Sequence, residues 1–339
     1  MRLAGARCWV NAFPAACLLP GVLACCLLLA PVSGSQGDKE PFYRDCVKEC
    51  VRANCTGPPL GGFLSAQPRY MTLTAACVPG WTCQDDCRYL CMWITVGLYL
   101  AEGYRVPQFH GKWPFTRFLC FEEPVSALAS LLNGLACLVM LIRYRSAVPR
   151  QSPMYYTCCA FSMVSLNAWF WSMVFHTRDT YLTEKMDYFC ASAVILYSVY
   201  LCCVRTLGLQ RPDLSSCFGV LLILMFASHV SYLTFVNFDY GYNMAANTAI
   251  GIINLLWWLA WCYGNRRTLP YWWKCAAVVL LLHGLALLEL LDFPPLLWVL
   301  DAHAIWHLST VPVHFLFYSF LIDDSLHLLN TQKRGLKLD

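Results

Sequence analysis

A chain of 339 residues that is 58% hydrophobic and only 13% charged departs from soluble domains, which run near half apolar and about a quarter charged. Its net charge of +4 is small, and no basic stripe interleaved with aromatics points to nucleic acid as a partner. Several apolar runs of about 20 residues assign it to the multi-pass membrane proteins.

The N-terminus reads as a secretory signal. Arg2 and Arg7 form a positive start, Leu18 to Ala30 an apolar stretch interrupted by Pro20, and Val32-Ser33-Gly34 a small-residue cleavage site. An uncleaved anchor is the competing reading, and both send the segment after Ser35 to the lumen. Residues 35–120 are then a polar, Cys-rich lumenal region. Cys46, Cys50 and Cys55 form one cluster, and Cys83, Cys87 and Cys91 another. In an oxidising compartment these six read as a disulfide framework of open connectivity, in preference to a zinc site, because no C-x2-C spacing occurs. Cys77 is the odd one, with Cys120 a candidate partner. Asn54-Cys55-Thr56 is a glycosylation sequon, which places Asn54 as a lumenal acceptor.

Cys91 to Leu100 is apolar but too short to span. Val106 to Phe115, rich in aromatics with Pro and Lys, reads as a connector on the lumenal surface, with His110 a surface or structural residue. Seven spanning segments follow, near 124–142, 155–176, 186–204, 215–236, 243–263, 272–291 and 296–320. The expected fold is an all-α membrane protein, a seven-transmembrane helix bundle with a small lumenal Cys-rich N-terminal region. Its parts are a signal peptide (1–34), the disulfide-rich region with its connector (35–120), the bundle (121–322) and a cytosolic tail (323–339). With residue 120 lumenal, the cytosolic loops and tail hold Arg143, Arg145, Arg150, Arg205, Arg211, Arg266, Arg267, Lys274, Lys333, Arg334 and Lys337. The lumenal loops between spans hold only Arg178 and Lys185. That asymmetry obeys the positive-inside rule independently of the signal sequence.

This topology gathers polar residues in the lumenal half of the membrane. Ser172 and His176 share a helical face at the end of the second span, and Asp187 opens the third. His303 and His307, again four apart, fall two to three turns inside the last span. Ionisable groups within a membrane are costly unless they face one another or water. Three imidazoles are a common zinc shell that leaves a position for water, whose pKa the ion lowers. His176, His303 and His307 are therefore the candidate Zn2+ ligands. Asp187 suits a general base and Ser172 a hydrogen-bonding helper, which together fit hydrolysis of a lipid ester or amide. Core or interhelical roles are expected for His229, His283 and His314. Asp301 and Asn167 stand between supporting the site and packing, and Glu289 and Asp292 read as interface charges.

The pattern of S-x3-H, Asp and H-x3-H on successive helices resembles the seven-helix hydrolase superfamily of alkaline ceramidases and progestin/adipoQ receptors. A closer resemblance, to the GPI-remodelling phospholipase family, covers nearly everything after the signal. It rests on Gly34 to Asp38, the two Cys clusters, Val106 to Phe115, Asn167 to Asp179, Lys185 to Cys190 and Leu300 to His307. The stretch around Cys77 is longer than that family's pattern. The resemblance implies a Golgi membrane phospholipase A2-type enzyme that removes the sn-2 acyl chain from GPI-anchored proteins, with the three histidines on zinc beside Ser172 and Asp187. The other readings are a ceramidase-like amidase, and a non-catalytic receptor or lipid-binding factor with a structural metal.

Overall fold

The computed structural model describes residues 35–55 and 81–335. The expected signal peptide, Cys77, Thr56 and residues 336–339 lie outside them. The helices are α1 (Gln36–Lys39), α2 (Pro41–Asn54), α3 (Cys83–Ala101), α4 (Pro124–Ala147), α5 (Tyr155–Thr177), α6 (Tyr181–Cys203), α7 (Pro212–Phe235), α8 (Tyr240–Asn265), α9 (Trp272–Ala286) and α10 (Ala302–Gly335). No strand occurs among the described residues, which hold only isolated bridges. The molecule is a helical membrane bundle capped by a disulfide-bonded lobe.

The two Cys clusters lie on two helices. Cys46 and Cys50 are four apart on α2, and Cys83, Cys87 and Cys91 are four apart on α3, so each set lines one face. The antiparallel pair is joined by Cys46–Cys91, Cys50–Cys87 and Cys55–Cys83. All six expected cysteines are thus used, in a nested order. Cys120 is also disulfide-bonded. Thr82 starts α3 with a capping box, its hydroxyl accepting from the Asp85 amide while the Asp85 carboxylate accepts from the Thr82 amide.

Among the described residues six helices are long and apolar enough to cross a membrane, and α9 is a shorter apolar one. Neighbour relations run α4, α5, α6, α8, α9, α10 and back to α4, while α7 packs on the outside of α6. α4 makes this closure possible. Its buried Ser126, Ala127, Ala129, Ser130, Asn133, Ala136 and Cys137 let backbones approach closely, since van der Waals packing replaces the hydrophobic effect inside lipid. The main core, around Tyr144, Tyr155, Trp258, Trp261, Tyr318 and Phe320, fills the half of the bundle away from the lobe. There the Arg205 guanidinium donates twice to Asp324, at 2.5 and 2.9 Å, and Tyr271 donates to the same carboxylate.

Several boundaries differ from the sequence expectation, and two of them bear on the site. The third span begins at Tyr181 rather than 186, because Thr180 and Thr183 form a capping box there. The last does not begin at 296. Residues 291–301 are a loop, with Leu297 and Trp298 at positive φ and Leu296 bridged to Leu300. Asp301 then starts α10 by accepting from the Ala304 amide at 2.8 Å, an N-cap role favoured for Asp. His303 and His307 consequently occupy the first two turns of α10. α10 also continues past residue 323 to Gly335.

Candidate metal centre

The site forms where the C-terminal end of α5 meets the N-terminal ends of α4, α6 and α10, at the end of the bundle that carries the lobe. His176, His303 and His307 converge there: Nε2 of His176 and His303 are 3.3 Å apart, and those of His303 and His307 are 2.8 Å apart. One ligand atom from each lies within 4.8 Å of the others. His176 and His307 are buried and His303 half-buried. The three residues expected from the sequence are thus brought together from two helices 127 positions apart at the His176–His303 contact.

His176 is held in one orientation by a residue that the sequence reading passed over. Its Nδ1 meets the Glu123 carboxylate at 2.7 Å, and Lys112 Nζ donates to the other carboxylate oxygen at 2.6 Å. Burial opposes ionisation of Glu123, but Lys112 first and His176 second outweigh it and hold the carboxyl far below the usual carboxylate range. An ionised carboxylate only accepts, so Nδ1 donates, and the His176 Nε2 lone pair faces the other two imidazoles. Lys112 also contacts Asp179 at 2.9 Å and lies 3.9 Å from the Phe175 ring centroid. Burial lowers its pKa, yet Glu123, Asp179 and Glu122 together raise it above the lysine norm. In the sequence Glu123 is a single carboxylate just ahead of the first span, with nothing to link it to a distant histidine. What brings it to His176 is the return of the chain along the end of α5, with the Glu122 and Glu123 amides donating to the Thr177 and His176 carbonyls.

Asp187, half-buried near the start of α6, lies close enough to His176, His303 and Ser172 to interact with each of them electrostatically. Ser172 Oγ also meets Ser130 Oγ of α4 at 3.1 Å. Asn133, fully buried, donates to the His307 carbonyl at 2.7 Å and accepts from Thr310, which fixes the first turns of α10 against α4. Ser130 and Asn133 carried no sequence signal beyond their small or polar character within an apolar helix. Asp301 supports the site as the cap of α10, and Asn167 ties α5 to α6 through Cys190 at 3.0 Å. His229, His283 and His314, each half-buried, make contacts between helices. His229 bonds Asn243, His283 bonds backbone carbonyls on α8 and α9, and His314 packs on Trp169. His110 sits half-exposed, bonded to Tyr43 and Asp38. Asp292 accepts from Gln108 and Trp113 and so joins the loop before α10 to the lobe. Asn54 ends α2 with its amide donating to the Cys50 carbonyl.

The donor set suits zinc. Three imidazole nitrogens face one point, one of them oriented by a carboxylate, the usual support of a zinc-bound histidine. In addition, the buried Nδ1 of His307 has no hydrogen-bond partner, so the protein's own groups leave this cluster incompletely satisfied. A helical membrane bundle with a three-histidine centre under a disulfide-bonded lobe is the class that fold and site define.

Comparison with known proteins places the chain in a family. Residues 74–325 match the Per1-like family. The chain is 82% identical over 313 residues to a zebrafish (Danio rerio) protein called GPI-specific phospholipase A2-like PGAP3, covering 92% of this chain and 98% of that one. The Homo sapiens protein of the same name is 66% identical over 325 residues, 95% of this chain and 100% of the relative. Post-GPI attachment to proteins factor 3 of Drosophila melanogaster is 38% identical over 301 residues, 89% of this chain and 90% of the relative. No solved structure matches. The chain belongs to the Per1-like family.

Proposed function

We propose that this protein is a zinc-dependent, phospholipase A2-type hydrolase that removes the sn-2 fatty acid from GPI-anchored proteins. The observation that carries the reading is the convergence of His176, His303 and His307 beside Asp187. The relatives' names, GPI-specific phospholipase A2-like, favour an ester of a GPI lipid over the amide of ceramide. The signal-like N-terminus and the placement of basic residues support a Golgi membrane orientation with lobe and site lumenal and the C-terminus cytosolic. In that orientation the Asn54 sequon faces the glycosylation machinery, and the site meets GPI lipids on the leaflet where they reside.

A zinc ion held by the three imidazoles would polarise the ester carbonyl and lower the pKa of the attacking water. Asp187 accepts a proton from that water as its oxygen attacks the acyl carbon. It returns the proton to the glycerol oxygen as the acyl–oxygen bond breaks, leaving a fatty acid and a lyso-GPI. Ser172, between Asp187 and Ser130, orients the carboxylate or donates to the developing oxyanion. It is not the nucleophile in this scheme, because the imidazoles that could serve as its base are turned toward one another. Glu123 and Lys112 hold His176 in place.

The test uses purified full-length protein: bound zinc is measured, and fatty-acid release is followed from GPI lipid and from ceramide, with His303→Ala as control. Zinc near one per chain, with release from GPI lipid lost in His303→Ala, is expected. Zinc-free protein with unchanged turnover sinks the metal mechanism, and turnover of ceramide alone replaces the esterase with an amidase.

A further inference from the structure

Lys112 does not belong to the bundle. It follows a two-residue reversal, Phe109-His110-Gly111-Lys112, in which Phe109 and Lys112 exchange backbone hydrogen bonds at 2.7 and 2.9 Å. His110 has φ +51 and Gly111 φ +81, and positive φ at both central residues is what a tight type I′ reversal demands. The lobe holds the reversal from one side. The His110 amide donates to the Asp38 carboxylate at 3.0 Å, the Gly111 amide to Ser35 Oγ at 2.7 Å, and His110 Nε2 meets the Tyr43 hydroxyl at 3.0 Å. Gly37 packs so closely beneath it that a Cβ would lie 2.6 Å from the Gln108 carbonyl oxygen and from the Phe109 ring. On the other side, the Lys112 ammonium reaches past Phe175 to Glu123 and Asp179.

We propose that Lys112 is a positioning residue for the metal centre, an ammonium delivered by the lobe that fixes Glu123 and through it the orientation and tautomer of His176. The lobe is on this account part of the site, although it supplies no ligand. Glu123 is buried, with carboxylate oxygens facing Lys112 at 2.6 Å and His176 at 2.7 Å. Without the ammonium, the buried carboxylate loses its only lysine partner among the described contacts and is free to turn away from His176. That movement removes the acceptor that meets His176 Nδ1 and holds its Nε2 toward His303. Partners of this kind alter metal affinity by about 10- to 100-fold. The proposal rests on the zinc reading only for the identity of the ion.

The experiment uses the full chain in detergent with Lys112→Met, Lys112→Arg and Gly111→Val. The last variant keeps the charge but strains the reversal, since its added Cβ meets nothing within 4 Å yet sits at φ +81. Zinc affinity is read by competition with a chromophoric chelator. The His176 tautomer is read from 15N-histidine spectra of metal-free protein, assigned with His176→Gln. Lys112→Met is expected to weaken zinc binding about 10- to 100-fold and to mix the tautomers, with Lys112→Arg restoring most of both. Wild-type affinity and a single tautomer in folded Lys112→Met overturn the proposal. If Lys112→Met does not fold, Gly111→Val decides on the same readouts: unchanged affinity and tautomer there overturn it equally. A wild-type chain that binds no zinc removes the zinc reading, while the tautomer comparison still decides the role of Lys112.

Discussion

Asp187 and Ser172 occupy the same face of the site, and their proposed duties differ enough to be separated by kinetics. Asp187→Asn retains a side chain of the same shape but loses the proton acceptor. Its kcat on GPI lipid is expected to fall by about 10²- to 10⁴-fold, with zinc content and KM little changed. Ser172→Ala removes one hydrogen-bonding hydroxyl, and measurable turnover is expected to remain. Complete loss of turnover with zinc still bound would instead mark Ser172 as the nucleophile. His303→Ala takes away an imidazole from the centre of the cluster, so zinc itself is expected to go, read by elemental analysis. The histidines were legible in sequence because an i, i+4 imidazole pair inside an apolar run has few comfortable uses in a membrane. Lys112 and Glu123 were not. Each resembles the charged residues that normally flank a span; only the return of residues 122–123 along the end of α5 brings Glu123 under His176, and only the reversal at 109–112 brings Lys112 to Glu123.

At the scale of single elements, α10 depends on how it starts. Asp301 accepts from the Ala304 amide and lies two residues before the first imidazole of that helix. Asp301→Ala is expected to lower stability by about 1 kcal/mol, as the loss of an N-cap does. The first turn of α10, which carries His303, then frays, so zinc affinity falls together with the melting temperature in a detergent melt. The apolar run from Leu296 to Leu300 made this start hard to place from sequence. Hydropathy scores a folded apolar loop and a helix alike, and the informative marks were Pro294, Pro295 and the capping Asp301. α2 and α3 were more legible than they first appear. Cys46 and Cys50 in one cluster, and Cys83, Cys87 and Cys91 in the other, are four apart and so share a helical face, and two antiparallel helices joined along such faces pair in nested order.

Across the whole molecule, two polar assemblies lie far apart along α10. Asp324 is 17 residues beyond His307, about 26 Å along the helix, and there it receives Arg205 of the turn after α6 and Tyr271 ahead of α9. Arg205→Met leaves a buried carboxylate short of its cation and is expected to cost about 3–5 kcal/mol, the usual result of breaking a buried pair from one side. Arg205→Met combined with Asp324→Leu removes both charges and is expected to recover most of that loss. Zinc content should remain at the wild-type level in the double variant. A double variant as unstable as the single one would show that packing around α6 and α9, not the ion pair, holds that end together. The bundle class was readable from apolar runs alone. The order in which its helices neighbour one another, with α7 set outside on α6, was not, because hydropathy carries no record of which faces meet.

The partners of the metal centre are spread unevenly along the chain. Lys112 and Glu123 precede the first spanning helix, His176 ends the second, and two of the three imidazoles lie at the start of the last. During synthesis, which runs from the N-terminus, the lobe and most of the bundle therefore exist before either His303 or His307 has been made. A chain that stops after α9 has one imidazole of the three and nothing to hold an ion with. If the three imidazoles hold zinc as proposed, uptake of the ion closes biogenesis, and a ribosome-stalled series of nascent chains should acquire zinc only once α10 has emerged and inserted.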